Sequence, residues 1–481
     1  MKYKHALFLN PYIENTATSI MGLFPPTGLE HVATSAKGLV EKLTLVDLRY
    51  EKNLNDPEKL LDFIRREIDI ICVAVTWNRQ FDEICKLLNL MPEGITLVVG
   101  GYKATEMTEE IFKNCKKVDI IVRGEGEETI KEILKGGSLE NIQGMSYRGE
   151  AKNIIHNPNR PLPDVNKIAF PDRSLRHNKY RMMLNGVNVT GMTFDAVLSA
   201  RGCPYNCKFC TFALNPLGQK RKYSARSVES VIEELEKISA EAVLFSDDNF
   251  FTDIKRSEKI CDLIIERKIK KRFLAQARIE IARYPRLLDK MVKAGFKVLL
   301  IGIESPHDRI LSELNKGFTS DEVRTCFEVL KKYPIYYHGY FIYGNIGETK
   351  EEMLYISKFA KEIHLDSITF QKLRIEKFSP LKEIAEKTPG CHITEKGEFY
   401  TDTYSHAALK KIGKQIKFSF YTPTKLLQIV RKLMIVRLFS IRDIMSFLVA
   451  TPFLLKGVIC REIQKNRLGD SLKRIFIRNT A

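Results

Sequence analysis

The sequence predicts an α/β protein with a Rossmann-like N-terminal domain over residues 1–140, a linker over 141–190, a partial (β/α)6 barrel over 191–385 and a basic helical region over 386–481. Three observations carry this expectation. Apolar strand-like runs alternate with helix-periodic segments in two separate series, the pattern of parallel sheets covered by helices. Between the series, Gly136-Gly-Ser138, Asn157-Pro-Asn-Arg-Pro-Leu-Pro-Asp164 and Phe170-Pro-Asp172 read as a hairpin followed by an ordered linker running along a domain interface. The charge is also uneven. Of a net +18, +13 falls from Ser405 onward, where 16 Lys/Arg stand against 3 Asp/Glu. A chain of 481 residues exceeds one ordinary core, and an apolar share of 44% is that of a globular protein.

In the first series, Ala6–Leu9, Leu43–Leu48, Ile70–Val75, Thr96–Val99 and Asp119–Val122 read as strands, with helices over Leu29–Leu39, Glu58–Glu67 and Asp82–Leu90. Ligands of such sheets bind at the carboxyl ends of strands. Those ends carry Asn10-Pro11, Thr76-Trp77-Asn78, Gly100-Gly101 and Gly124-Glu-Gly-Glu127. Paired glycines let a large flat ligand approach the backbone, while carboxylates beside Gly124 and Gly126 exclude a phosphate loop. Met1-Lys-Tyr-Lys-His5 runs straight into the first strand, so no secretory signal and a reducing, cytoplasmic compartment are expected. Clustered cysteines then read as metal ligands. The scattered ones (Cys72, Cys85, Cys115, Cys261, Cys326, Cys391, Cys460) read as small buried apolar residues.

The second series has strands at Val197–Ala200, Ala242–Phe245, Phe273–Ala277, Val298–Ile303, Tyr336–Tyr343 and Ser367–Leu373, each but the last followed by a helix. In barrels of this kind chemistry gathers at strand carboxyl ends. The first strand leads into Arg201-Gly-Cys-Pro-Tyr-Asn-Cys-Lys-Phe-Cys-Thr-Phe212, where Cys203, Cys207 and Cys210 are spaced C-x3-C-x2-C. Three thiolates without a fourth leave a coordination position open, the mark of a reactive centre. Spacing alone also allows zinc, or three unrelated thiols.

With its flanks, this loop resembles the cluster loop of radical S-adenosylmethionine (SAM) enzymes, specifically members that also bind cobalamin, and the likeness extends over residues 195–375. The resemblance implies a [4Fe-4S] cluster on Cys203, Cys207 and Cys210, and SAM held at the strand ends. Ser246, Asp247 and Asp248 would take its amino group, and Arg278 its carboxylate or the cobalamin side. Glu304 and Ser305 would face its ribose or methionine; the Gly344–Thr349 turn and Phe209 would lie by its adenine. Thr349 and Asp253 read equally well as helix N-caps. Residues 5–135, with Pro26 in Phe24–Glu30, Thr76, Gly100, Gly101, Gly124, Glu125 and Gly126, resemble the cobalamin-binding domain. The sequence departs from that pattern twice: it has no Asp-x-His-x-x-Gly motif to ligate cobalt, and Lys103 stands where members often carry histidine. A domain that has lost its ligand is the alternative reading.

The implied chemistry is reductive cleavage of SAM to a 5′-deoxyadenosyl radical, hydrogen abstraction from an unactivated carbon, and cobalamin-dependent methylation of that carbon. It calls for an external one-electron reductant of flavodoxin or ferredoxin type and a small-molecule or lipid-like substrate, as in the hopanoid methylases that share this layout. Alternatives are a cyclase, oxidase or carbon–carbon coupling enzyme of the same type, or a non-enzymatic iron–sulfur electron carrier or zinc-stabilised binding protein. No general acid or base stands out. Tyr180, His338, Tyr340 and Tyr343 read as packing or as proton and radical handlers.

In the tail, Leu426, Val430, Leu433 and Val436 or Leu438 share one helical face, with Lys425, Arg431, Lys432 and Arg437 elsewhere. Ile444–Leu455 is apolar, broken by Pro452 and too short to span a bilayer. The region reads either as peripheral contact with the inner face of a membrane or as a helical cap over the barrel bottom or the substrate cavity. With no nucleic-acid motif and high apolar content, the sequence argues against a nucleic-acid partner.

Overall fold

The computed structural model describes residues 2–12, 21–76, 80–184, 187–210, 214–450 and 452. Trp77-Asn78, Thr211-Phe212, residues 453–455 of the apolar run and Cys460 lie outside the described residues. Five parallel strands form the heart of the N-terminal sheet: β1 (His5–Asn10), β2 (Lys42–Asp47), β3 (Ile70–Ala74), β4 (Thr96–Gly100) and β5 (Ile120–Val122), in the order β2-β1-β3-β4-β5. Their apolar runs are continuous because helices cover both faces; β1 is buried from His5 to Leu9. The order reverses between β1 and β3, which opens a crevice at their carboxyl ends. The hairpin expected in the linker is β6 (Met145–Arg148) and β7 (Ile154–His156), and it extends this sheet antiparallel to β5.

A second sheet holds β8 (Arg181–Leu184), β9 (Val187–Val197), β10 (Ala242–Phe245), β11 (Arg272–Ala277), β12 (Phe296–Glu304), β13 (Tyr336–Tyr343) and β14 (Ser367–Lys372), with Met21–Gly22 paired beyond β8. β9 to β14 are parallel and curl into a half-barrel. The first barrel strand is therefore longer than predicted and ends at Val197, while Ala200-Arg201 pairs with Ser224-Ala225 instead. On the outer face, Phe245, Phe250, Phe273 and Phe296 pack ring against ring, with centroids 4.3–5.8 Å apart. Each such buried phenylalanine contributes roughly 1.5–3 kcal/mol. Thr349 and Asp253 are N-caps, accepting from the amides of Glu352 and Arg256.

The segment between the sheets is ordered by buried charge. Arg176 pairs with Glu30 of the N-terminal domain at 2.6 Å and with Asp195 of β9 at 2.8 Å. Arg173 joins Asp195 and Glu234 at 2.7 Å. The helix His406–Phe420 packs along the helix Lys350–Glu362 and sends Leu409, Ile412, Ile416 and Phe420 into the barrel's outer core. Beyond the helix Pro423–Ile435, Val436 and Leu438 join Met192, Phe194, Leu274, Val298 and Tyr336, with Ile429 and Leu433 packed alongside, and so close the bottom of the half-barrel. The capping geometry is thus present. Leu426 and Val430, expected on the same apolar face, are half exposed instead. Among the described residues no helix is long and apolar enough to cross a membrane.

Candidate active site

The cysteine loop hangs from a tightly tied strand end. Asp247, just past β10, is fully buried and accepts from both the amide and the hydroxyl of Ser199. Asp248 accepts from the amide of Gly202 at 2.8 Å. Gly202 has φ +85°, and a Cβ there would sit 2.5 Å from the carbonyl oxygen of Lys222, so only glycine fits. Burial pushes both carboxyls up to about 6. Both oxygens of the buried Asp247 accept from Ser199, so its side chain ties the strand end to the loop. Ser246 likewise spends its hydroxyl on the carbonyl of Val197.

Cys207 is buried, Cys203 and Cys210 are partly exposed, and none of the three is in a disulfide. Cys207, Phe209 and Cys210 line a cavity of about 220 Å³ whose other walls include Tyr102 and Glu106 of the N-terminal domain and Phe378 from beyond β14. Arg278 stands behind them. Its guanidinium lies 3.7 Å from the Tyr205 ring centre and 3.8 Å from Cys207 Sγ, and is held by Glu280 at 2.8 Å and the Lys316 carbonyl at 2.6 Å. Arg278 therefore sits on the cluster-loop side rather than the cobalamin side. Burial pushes the Cys203 thiol up. Among the described residues no three His, Cys, Asp or Glu side chains gather as ligands of one ion; a cubane instead asks for one thiolate on each of three irons.

Glu304 sits at φ +72°, beside an irregularity in the β12–β13 register, and pairs with Lys316 at 3.0 Å. Lys316 in turn lies 5.7 Å from the Phe209 ring. Ser305 is buried, with its hydroxyl accepting from the His307 amide. Gly344 has φ +70°, and a Cβ there would meet Leu409 at 3.0 Å, so this turn lies against the helix His406–Phe420. His338 bonds Ser367 and Thr369 through its two ring nitrogens, and burial lowers it to about 4, so it is neutral and engaged at pH 7. Tyr340 packs edge-on against it. Tyr343 belongs to the barrel's outer core beside Phe370, so it is not a lumen group, and the hydroxyl of Tyr180 is spent on Asp47 between the domains.

In the N-terminal domain, Pro26 precedes the helix Thr27–Ser35, and Thr76 lies exposed past β3. Gly100 ends β4, and Gly101 at φ +108° would bring a Cβ 2.8 Å from the Val75 carbonyl oxygen. Gly124 has φ +77° and donates to the Thr105 hydroxyl, while at Gly126 a Cβ would press on Val122 at 3.2 Å. These last three glycines serve backbone turns and close packing. Glu125 is engaged by both Arg201 and Arg221, and Glu127 by Arg201 at 2.5 Å. Glu125 thus clasps the N-terminal domain to the stem of the cysteine loop. Lys103 is buried against Glu106 at the cavity wall. Sequence reasoning missed Arg201, Arg221 and Lys316. The sequence signal for the first was there: an arginine two residues before the first cysteine, and two carboxylates in a glycine turn.

The Radical SAM superfamily matches residues 197–360 and the B12 binding domain residues 16–134. An uncharacterized methyltransferase of Pyrococcus horikoshii is 30% identical over 391 residues, 77% of this chain and 80% of that one. The anaerobic magnesium-protoporphyrin IX monomethyl ester cyclase of Cereibacter sphaeroides is 25% identical over 78% of this chain, which spans 62% of the cyclase's length. In fold, the chain is similar to the radical SAM methyltransferase TsrM of Kitasatospora setae, solved with cobalamin and a [4Fe-4S] cluster, at a TM-score of 0.66 and 17% identity over 81% of this chain and 80% of that one. Two matched domains in this order, with the Pyrococcus horikoshii relative covered over 80% of its length, make the chain a member of the B12-binding radical SAM enzymes.

Proposed function

We propose that this enzyme is a cobalamin-dependent radical SAM methyltransferase that methylates an unactivated carbon of a small, lipid-like molecule, with a [4Fe-4S] cluster on Cys203, Cys207 and Cys210. The shared cavity carries the reading: thiols of the barrel loop and Tyr102 and Glu106 of the N-terminal domain open on one space. The residues fit the groups. None of the three thiols is in a disulfide, Arg278 supplies a cation beside Cys207, and Thr76, Gly100, Gly101 and Gly124 lie at the carboxyl ends of β3, β4 and β5, where a corrinoid would bind. When bound, the cofactors supply an electron, a hydrogen-abstracting radical and a methyl group. The chain's own part is orientation and exclusion of water. Phe209 and Phe378 wall the cavity, Glu304 and Ser305 would face the polar end of SAM, and His338, with both ring nitrogens hydrogen-bonded, is a weak and engaged base. A flavodoxin- or ferredoxin-type reductant and a reducing cytoplasmic setting belong to this reading. The cyclase relative favours a second one, radical chemistry without methyl transfer.

The test is anaerobic reconstitution with iron, sulfide and hydroxocobalamin, followed by reduction with methyl-labelled SAM. Expected are iron–sulfur and corrinoid absorption, 5′-deoxyadenosine, and label on cobalamin. Cys207→Ala should abolish 5′-deoxyadenosine; its survival overturns the site. 5′-Deoxyadenosine without labelled cobalamin selects the second reading.

A further inference from the structure

Eleven of the sixteen exposed large apolar side chains of the described residues lie between Phe418 and Val449. One face of the helix Pro423–Ile435 closes the barrel bottom; the rest is bare, with Leu427 72% and Ile435 56% exposed. The helical residues 441–450 are bare as well, with Ile441 79% exposed. On the preceding helix, at about 100° per residue, Lys410, Lys411, Lys414, Lys417 and the exposed Phe418 fall within one third of the circumference. Lys410, Lys414 and Lys417 join Lys372 around an open cavity of about 450 Å³ floored by Tyr343 and Phe370, on the outside of the barrel and apart from the cysteine loop. Gly413 makes this floor possible, since a Cβ there would strike the Tyr343 hydroxyl at 2.5 Å. Among the described residues none of these four lysines forms an ion pair, although most buried cations of the chain do.

We propose that this face docks on an anionic lipid bilayer, with the lysine cavity taking a lipid phosphate and the bare apolar side chains entering the acyl boundary. Charge and apolar surface together select that occupant. Residues 405–452 hold nine Lys/Arg and one Asp, and that one, Asp443, is consumed internally by the amides of Gly191 and Met192. A second copy would set lysines against lysines. A soluble acidic protein would satisfy the lysines and leave Leu427 and Ile441 wet. A bilayer bearing anionic headgroups satisfies both. The inference goes beyond the proposed catalysis and does not depend on any cofactor.

The experiment is co-sedimentation of the full chain with phosphatidylcholine vesicles, with and without phosphatidylglycerol. Phosphatidylglycerol-dependent pelleting that weakens with salt is expected. At about fivefold in partitioning per lysine, Lys410→Glu/Lys414→Glu/Lys417→Glu should lower it at least about a hundredfold. Leu427→Ser/Ile435→Ser/Ile441→Ser should lower the part that survives high salt. All these side chains are solvent-facing, and unchanged circular dichroism verifies that both variants fold. No pelleting, pelleting indifferent to the lysines, binding of free glycerol phosphate without vesicle binding, or self-association in place of pelleting would each overturn the proposal.

Discussion

Replacing Arg201 by methionine tests whether the two domains are held together by the charge that also anchors the cysteine loop. Arg201 is 15% exposed and touches two carboxylates; Glu127 is 5% exposed, Glu125 21%. Glu125 keeps Arg221, so the variant orphans Glu127 alone. Deleting one partner of a buried pair costs about 3–5 kcal/mol, and that is the loss expected at pH 7. The sign of the pH dependence is more telling. In the parent, burial pushes the Glu127 carboxyl up, but Arg201 more than offsets it and leaves the group below its ordinary value. That stabilisation is complete above the unfolded carboxyl range and fades as pH falls through the lower folded value, so Glu127 adds no slope to the parent's stability between pH 7 and 5. Without Arg201, burial is opposed only by His31 and a backbone hydrogen bond, the folded value rises, and protonation relieves the orphan at about 1.4 kcal/mol per unit. Arg201→Met should therefore gain stability from pH 7 to 5. Urea unfolding followed by circular dichroism reads both effects. Lys237→Met, which opens the solvent-exposed pair with Glu233, is the control and should cost less than about 0.5 kcal/mol. An Arg201→Met stability within about 1 kcal/mol of the parent's, or a pH profile parallel to the parent's, would refute the clasp.

Two further outcomes follow from single positions. Gly101→Ala places a Cβ 2.8 Å from the Val75 carbonyl in left-handed backbone, which should cost on the order of 1–3 kcal/mol and loosen retained cobalamin; Gly100→Ala, whose Cβ meets Val122 at an ordinary 3.6 Å, should do neither, and equal effects would refute the argument. Burial holds His338 at about 4, so its imidazole should stay neutral from pH 8 down to 5 by NMR, and a titration near the ordinary histidine value would show that the lumen around it is wet.

The strands were legible because a parallel strand buried on both faces is a continuous apolar run, and Ile70–Ala74 or Thr96–Gly100 can hardly be read otherwise. β9 was not, because Val187–Val197 begins in an antiparallel hairpin and its apolar–polar alternation slips by one residue at Gly191, where the pairing register shifts. The cysteine spacing is local, hence readable. The duties of Asp247 and Glu125 are not, because their partners Ser199 and Arg201 lie 48 and 76 residues away in sequence. A carboxylate at a strand end looks the same whether it greets a ligand or ties down a neighbouring loop.

The tail shows a different limit. Periodicity found an apolar face on residues 423–438, yet of the residues assigned to it Leu433, Val436 and Leu438 pack beneath the barrel while Leu426 and Val430 face outward. The apolar arc is wider than the contact it makes. A helix that only capped the barrel would need the narrow stripe and would carry polar residues opposite it. Leu427, Met434 and Ile435 occupy that opposite side, at a cost in solubility that packing within the described residues does not repay. The excess becomes intelligible with something apolar on the far side of the helix, and the lysines of the preceding helix, which form no ion pair among the described residues, state the sign of charge that surface must bear.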